Sequence, residues 1–174
     1  MRTFDSLAAF AAHLGQLAAM GTEVTDHIAG AAADRIRDDA KAKLGHYQPP
    51  AGPFPAWAPL SAWTMAERLE LGFTANEPLL RSGQLRDAIE RDVVHNGAVV
   101  GVKPGPHVEP DGRVEDVGQI ALNMELGTFA PPRPFLGPAA IEAEKPIAQM
   151  AARTLVQWVA GKNWLLQPQS IKLP

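Results

Sequence analysis

At 174 residues, 46% of them hydrophobic, the chain has the size of one ordinary domain with a real core, which excludes a disordered or low-complexity protein. A formal net charge of -3 argues against a dedicated nucleic-acid binder, and the absence of cysteine excludes disulfides, thiolate nucleophiles and Cys-ligated zinc. No apolar run approaches the roughly 18–20 residues of a membrane span. Residues Met1 to Asp5 lack the basic, apolar pattern of a secretory signal, so a soluble chain made in the cytoplasm is expected.

Residues 4–44 carry a helical stripe. Phe4, Leu7, Phe10 or Ala11, Leu14 and Leu17 recur at spacings of three and four, and Val24, Ile28, Ala31 or Ala32 and Ile36 continue it. Thr3 is the expected N-cap, Gly21 the expected break and Gly45 the expected C-cap. Asp39 and Lys43 stand at i,i+4 and predict a surface ion pair worth tenths of a kcal/mol. The alanine-rich second half suits close packing, including between subunits. Residues 45–59 hold five prolines and two glycines and predict a stiff loop. Its Tyr47, Phe54 and Trp57 anchor it either to its own core, the favoured reading, or to a partner.

Ser61 caps a predicted helix at 62–71, with Glu67 and Arg68 on its exposed side. Ser82 caps another, with Leu85, Ala88 and Ile89 on its buried face. Val93-Val94, Asn96-Gly97 and Val99 to Val102 predict a β-hairpin over 92–103. Residues 104–113 read as an exposed, turn-rich loop. A helix over 115–126 ends at Gly127, an extended proline-rich stretch follows, and Pro138 opens a last helix at about 139–160 that Pro146 should kink or delay. The apolar end, 161–174, with Trp164, Leu165, Leu166 and Ile171, is expected to act as an arm docked on its own domain or on a neighbour. The prolines are 16 of 174, about 9% against a usual ~5%. Their clustering fits helices separated by stiff loops. The whole reads as a single domain, 1–174.

Sequence signatures of catalysis are missing: there is no GxSxG, HExxH, P-loop or GxGxxG pattern. His13, His27, His46, His95 and His107 show no metal-ligand spacing, and no cofactor is expected. The best acid–base group, His95 with Asp92 and Glu125, is of a kind any domain of this size offers. Arg133 is more informative. Its proline neighbours hold it in a defined direction, so it either pairs with Glu125 or reaches an acidic partner, while Phe135 and Leu136 enter the core.

Two segments carry a resemblance. The first is Trp57-Ala58-Pro59-Leu60-Ser61 with Thr64, followed by Pro78-Leu79-Leu80-Arg81-Ser82-Gly83-Gln84-Leu85-Arg86 and Ile89. The second is Glu125-Leu126-Gly127-Thr128 with Pro132-Arg133-Pro134-Phe135-Leu136-Gly137-Pro138-Ala139. Together they resemble the head–tail joining and tail-completion proteins of long-tailed phages, the group typified by gene product 10 of phage HK97. Mu-type virion morphogenesis and P2-type tail-completion proteins are similar in these segments. The match covers about 57–140; the loop at 46–56 and the tail after 161 depart from it.

The resemblance implies a small α+β fold, an antiparallel sheet flanked by helices with long first and last helices. It also implies a ring, expected to be a hexamer, and a structural role in the virion neck or tail end without catalysis. The implied partners are other copies and the neighbouring connector, stopper, terminator or tail-tube proteins. DNA would pass through the lumen without specific binding. Alternatives are a tail terminator or minor capsid protein, then a non-viral oligomeric binding module, then a small hydrolase built round His95. The expected fold and interface residues are Trp57, Pro59, Leu60, Ser82, Gly83, Leu85, Glu125, Gly127, Arg133, Pro134, Phe135, Leu136 and Trp164.

Overall fold

One long helix, packed against both a second long helix and a small hairpin, organises the chain. The computed structural model describes residues 3–95, 97–108 and 112–166. Its elements run α1 (Leu7–Ala19), α2 (Gly21–Lys43), α3 (Ala62–Glu70), α4 (Gln84–Asp87), β1 (Ile89–Val94), β2 (Gly97–Val102), β3 (Pro106–Val108), β4 (Val114–Asp116), α5 (Val117–Leu126) and α6 (Leu136–Val159), with a 3-10 turn at Trp164–Leu166. This is the expected small antiparallel α+β fold, its strands divided between two two-stranded sheets, β1–β2 and β3–β4. No helix among the described residues is long and apolar enough to cross a membrane.

Helix α2 packs on α6 along one side and on the β1–β2 hairpin along another. Small residues permit this: Gly30, Ala33 and Ala40 of α2 and Ala139 and Ala143 of α6 are buried, so the backbones can approach closely. Bulk is supplied from outside the two helices. Trp57, Ile89 and Phe135 join Ala40, Leu44, Ala121 and Ala139 in one cluster, with Ile36, Leu85, Val100 and Leu136 packed against it. Arg91 of β1 forks onto Asp34 of α2 through Nε (2.9 Å) and Nη2 (3.1 Å), fixing the hairpin on the helix.

The helix limits differ from the expected ones for local reasons. Ser6, not Thr3, caps α1, because Ser6 has the extended backbone a cap requires and its Oγ accepts the Ala9 N–H at 3.1 Å. The break falls at Met20, and Gly21 opens α2. Asp39 does not pair with Lys43. It takes Arg35 at 2.6 Å, while Lys43 is turned inward onto Glu142 of α6 at 2.7 Å. Gly45 lies just past α2 with φ +96°, the left-handed conformation expected after a helix end.

The helix predicted from Ser82 through Ile89 is cut to four residues. Gly83, at φ +87°, takes the N-cap position, and Ile89, fully buried, belongs to β1 opposite Val102. The hairpin then runs in unbroken register to Val94 opposite Gly97; Asn96 lies outside the described residues. The predicted loop at 104–113 instead holds β3, which pairs with β4 just beyond it, Pro106 opposite Asp116. Proline is tolerated there as the first residue of an edge strand. Asp116 is the N-cap of α5, accepting Gln119 N–H at 2.9 Å, so that helix starts at Val117 rather than 115. Helix α6 starts at Leu136, before Pro138, and continues through Pro146. Pro138 sits in the first turn, where its missing N–H costs no helical bond.

Candidate functional site

The two segments that carry the resemblance fold onto each other. Trp57, 5% exposed, donates its indole Nε1 to the Pro134 carbonyl at 2.9 Å. Arg133 answers in the opposite direction, Nη2 donating to the carbonyls of Ala58 (3.1 Å) and Pro59 (3.4 Å). Its backbone N–H donates to Met124 at the end of α5 at 2.7 Å. Arg133 does not pair with Glu125; it is 6% exposed and donates to backbone carbonyls of its own chain. It is a buried clamp between two proline-stiffened strands of chain.

Glu125 has a different task. Its carboxylate accepts the backbone N–H groups of Phe135 (2.9 Å), Leu136 (3.3 Å) and Gly137 (2.9 Å). These are the opening amides of α6, whose N-cap Phe135 offers no side-chain acceptor of its own. A carboxylate at a helix N-terminus satisfies orphan donors and complements the helix dipole. This remote cap explains why α6 starts at Leu136, two residues before the proline that sequence favours as its opener. Phe135, with no exposed surface, and Leu136 enter the core as expected.

Glycines set the turns around this knot. Gly127 ends α5 at φ +74°, and a Cβ there would lie 2.8 Å from Pro132 Cδ and 3.0 Å from its backbone nitrogen. Gly127→Ala is expected to lower unfolding free energy by at least about 2 kcal/mol, since the left-handed backbone and the blocked proline ring both resist a side chain. Urea denaturation checks this; a loss within experimental error would show that Pro132 moves aside freely. Gly83 plays the matching part at α4, where Leu85 packs toward the core.

Beside the knot runs a groove of about 1240 Å³. The predicted residues Pro59, Leu60, Ser82, Gly83, Leu85 and Arg133 line it. Trp57, Pro134 and Phe135 lie behind its wall in the core. Trp164 is elsewhere: it is buried, its ring edge-on to His27 of α2 at 5.2 Å, so the first turn of the expected arm docks on its own domain. Residues 167–174, the rest of that arm, lie outside the described residues.

Two arginines of this groove were misread or missed by the sequence. Arg68, expected on the exposed side of α3, is 7% exposed. Its Nη1 donates to the carbonyls of Glu77 (2.6 Å), Leu80 (3.4 Å) and Thr74 (3.5 Å). Arg81 stacks over Phe73, 5.1 Å from the ring centroid, and reaches Glu67 at 3.5 Å. Burial, followed by the charges of Arg81 and Arg133, lowers the pKa of Arg68 from its ordinary value; burial lowers that of Arg133. Amphipathic patterning of α3 assigns Arg68 to the solvent side, and no local sequence signal marks it as buried.

Among the described residues no hydrogen bond joins His95, Asp92 and Glu125. His95 is exposed beside the hairpin turn, and the Glu125 carboxylate is held by the α6 amides. Among the described residues no group of three or more His, Asp or Glu side chains is arranged to hold a metal ion. Comparison with protein families, curated proteins and solved structures found no match for this chain.

Proposed function

We propose that this chain is a structural subunit of a tailed phage or prophage virion. It acts at the head–tail junction or the head-proximal tail end and works by assembly, as a ring of copies, rather than by catalysis. The observation that carries the reading is the interlock of the two resembling segments. The Trp57–Pro134 and Arg133–Ala58 bonds join positions 77 and 75 residues apart, which supports reading the two segments as one structural unit.

Surface chemistry supports self-assembly. Leu14 on α1 and Leu155, Val156 and Val159 on α6 are exposed together along a groove of about 510 Å³, Val156 at 69%. Contiguous apolar surface of this kind is uncommon on a subunit that works alone and marks association sites. Ring contacts join two different patches and must close, which favours stiff, preorganised segments such as 131–135.

The test is genetic and structural together. In a lysogen carrying the gene, its deletion is expected to leave DNA-filled heads and separate tails, and complementation is expected to restore joined virions. Electron microscopy of the purified protein with its neighbouring neck proteins is expected to show a six-fold ring. Normal virions after deletion would overturn the proposal.

A further inference from the structure

The groove beside the motif knot has an unusual electrostatic character. Arg68 and Arg133 are both nearly buried, yet among the described residues neither has a carboxylate within ion-pairing distance; both spend donors on backbone carbonyls. Arg133 Nε is buried with no hydrogen-bond partner. A guanidinium stays charged and offers five donors, so these two positive charges persist with donors to spare. Arg81 adds a third charge close enough to act on Arg68. Leu79, also on the wall and two positions before Arg81, is held at positive φ, 59°.

Among the described residues, the carboxylates nearby offset part of this field and leave Arg133 without a counter-charge. Glu67 pairs with Arg81 at 3.5 Å, and Glu67 and Glu77 act on Arg68 from beyond ion-pairing distance. Asp116 accepts from Gln119 N–H and Gly105 N–H, and Glu115 is an exposed residue at the β4 edge. The remaining wall is largely apolar, with Leu60, Leu85 and Ile120 among its residues.

We propose that this groove binds an acidic, apolar-flanked peptide segment of a partner protein, its carboxylates meeting Arg81 and the buried Arg68 and Arg133, its apolar side chains lying against Leu60, Leu85 and Ile120. Charge complementarity selects the partner: planar guanidinium forks match carboxylates, and a carboxylate brought against nearly buried guanidinium groups gains more from each bond than at an open surface. A nucleic-acid strand fits less well, because it needs a continuous basic track, whereas Glu115 and Asp116 lie at one rim. The groove also exceeds the room a single small anion fills. This inference rests on the groove alone and holds whether or not the chain belongs to a virion.

Fluorescence anisotropy tests it with a short labelled peptide alternating leucine and glutamate, added to the full-length protein. The peptide is expected to bind at least about tenfold more tightly than its leucine–glutamine counterpart. Arg81→Gln is expected to weaken binding by about tenfold, and Arg81→Lys by less, because lysine keeps the charge but not the fork. Equal binding of the two peptides, no binding of either, or an Arg81→Gln protein that binds normally would overturn the proposal. Tighter binding of a single-stranded oligonucleotide or of inorganic phosphate would overturn it in favour of a phosphate ligand. Should Arg81→Gln fail to fold, hydrogen exchange on the unaltered protein decides: the peptide is expected to protect 79–85 and 129–133, and protection confined elsewhere overturns the assignment.

Discussion

Glu125→Ala is expected to destabilise the fold by about 3 kcal/mol, although Glu125 is only half buried and contributes no apolar packing to the core cluster. The carboxylate takes three consecutive amides at the start of α6, two of them at 2.9 Å. Each bond to a charged acceptor contributes on the order of 1.5–3 kcal/mol, and the favourable dipole placement roughly 0.3–2 more. The three bonds share one group, and that group is partly solvated, so the contributions do not add. Glu125→Gln is expected to cost roughly half as much, since its single carbonyl oxygen can replace only one side of the fork, leaving an N–H donor facing another. Chemical denaturation measures both. Native-state hydrogen exchange gives an independent check, with faster exchange expected at 135–137 and little change in α2. A Glu125→Ala protein within about 0.5 kcal/mol of the original would show that water caps α6 equally well.

Phe135→Ala is expected to cost more, about 3–5 kcal/mol, for a different reason. Phe135 has no exposed surface and sits in the cluster that joins α2, α6, Trp57 and Ile89. The small residues facing it, Ala40, Ala121 and Ala139, have no side-chain length with which to fill the space. The cavity therefore persists and adds to the lost transfer energy. For a domain of this size the midpoint of thermal unfolding is expected to fall by roughly 10 °C. Phe135→Leu keeps most of the volume and is expected to lose only about 1–2 kcal/mol. A similar loss in the two variants would mean that the core closes around the gap despite its small neighbours.

The two variants separate the roles of two positions ten residues apart in one segment. Phe135 holds the segment by packing. Arg133 and Glu125 hold it by directed polar bonds, in opposite senses: the arginine donates to the 58–59 carbonyls, and the glutamate accepts from the 135–137 amides. A buried cation and a carboxylate so close in sequence invite the reading of an ion pair. The fold keeps them apart because each finds backbone partners that would otherwise be orphaned.

Local signals were sufficient for much of the fold. The three-and-four spacing of apolar residues marked α1, α2 and α6; Asn96-Gly97 between valine runs marked the hairpin; Ser61 and Gly127 marked helix ends. Those features are written in neighbouring residues, because helix periodicity, capping and tight turns depend on contacts within a few positions of the chain. The small α+β class was an expectation carried by the resemblance, and the burial of Phe135 and Leu136 followed from their bulk beside rigid prolines.

Only the tertiary structure decided which polar side chain serves which partner. Lys43 left its i,i+4 neighbour for Glu142, 99 positions away. Arg68 turned inward from a face that patterning assigns to solvent. Ile89 joined a strand because Val102 stood opposite it. In each case the local preference amounts to a few tenths of a kcal/mol, whereas leaving a buried donor, acceptor or apolar side chain unmatched costs about 1–3 kcal/mol. The second of these energies depends on groups distant in sequence, and it wins. The sequence by itself therefore determined most of the elements and their order, and the packing determined the β3–β4 pair, the knot, the remote cap of α6 and the arginine groove.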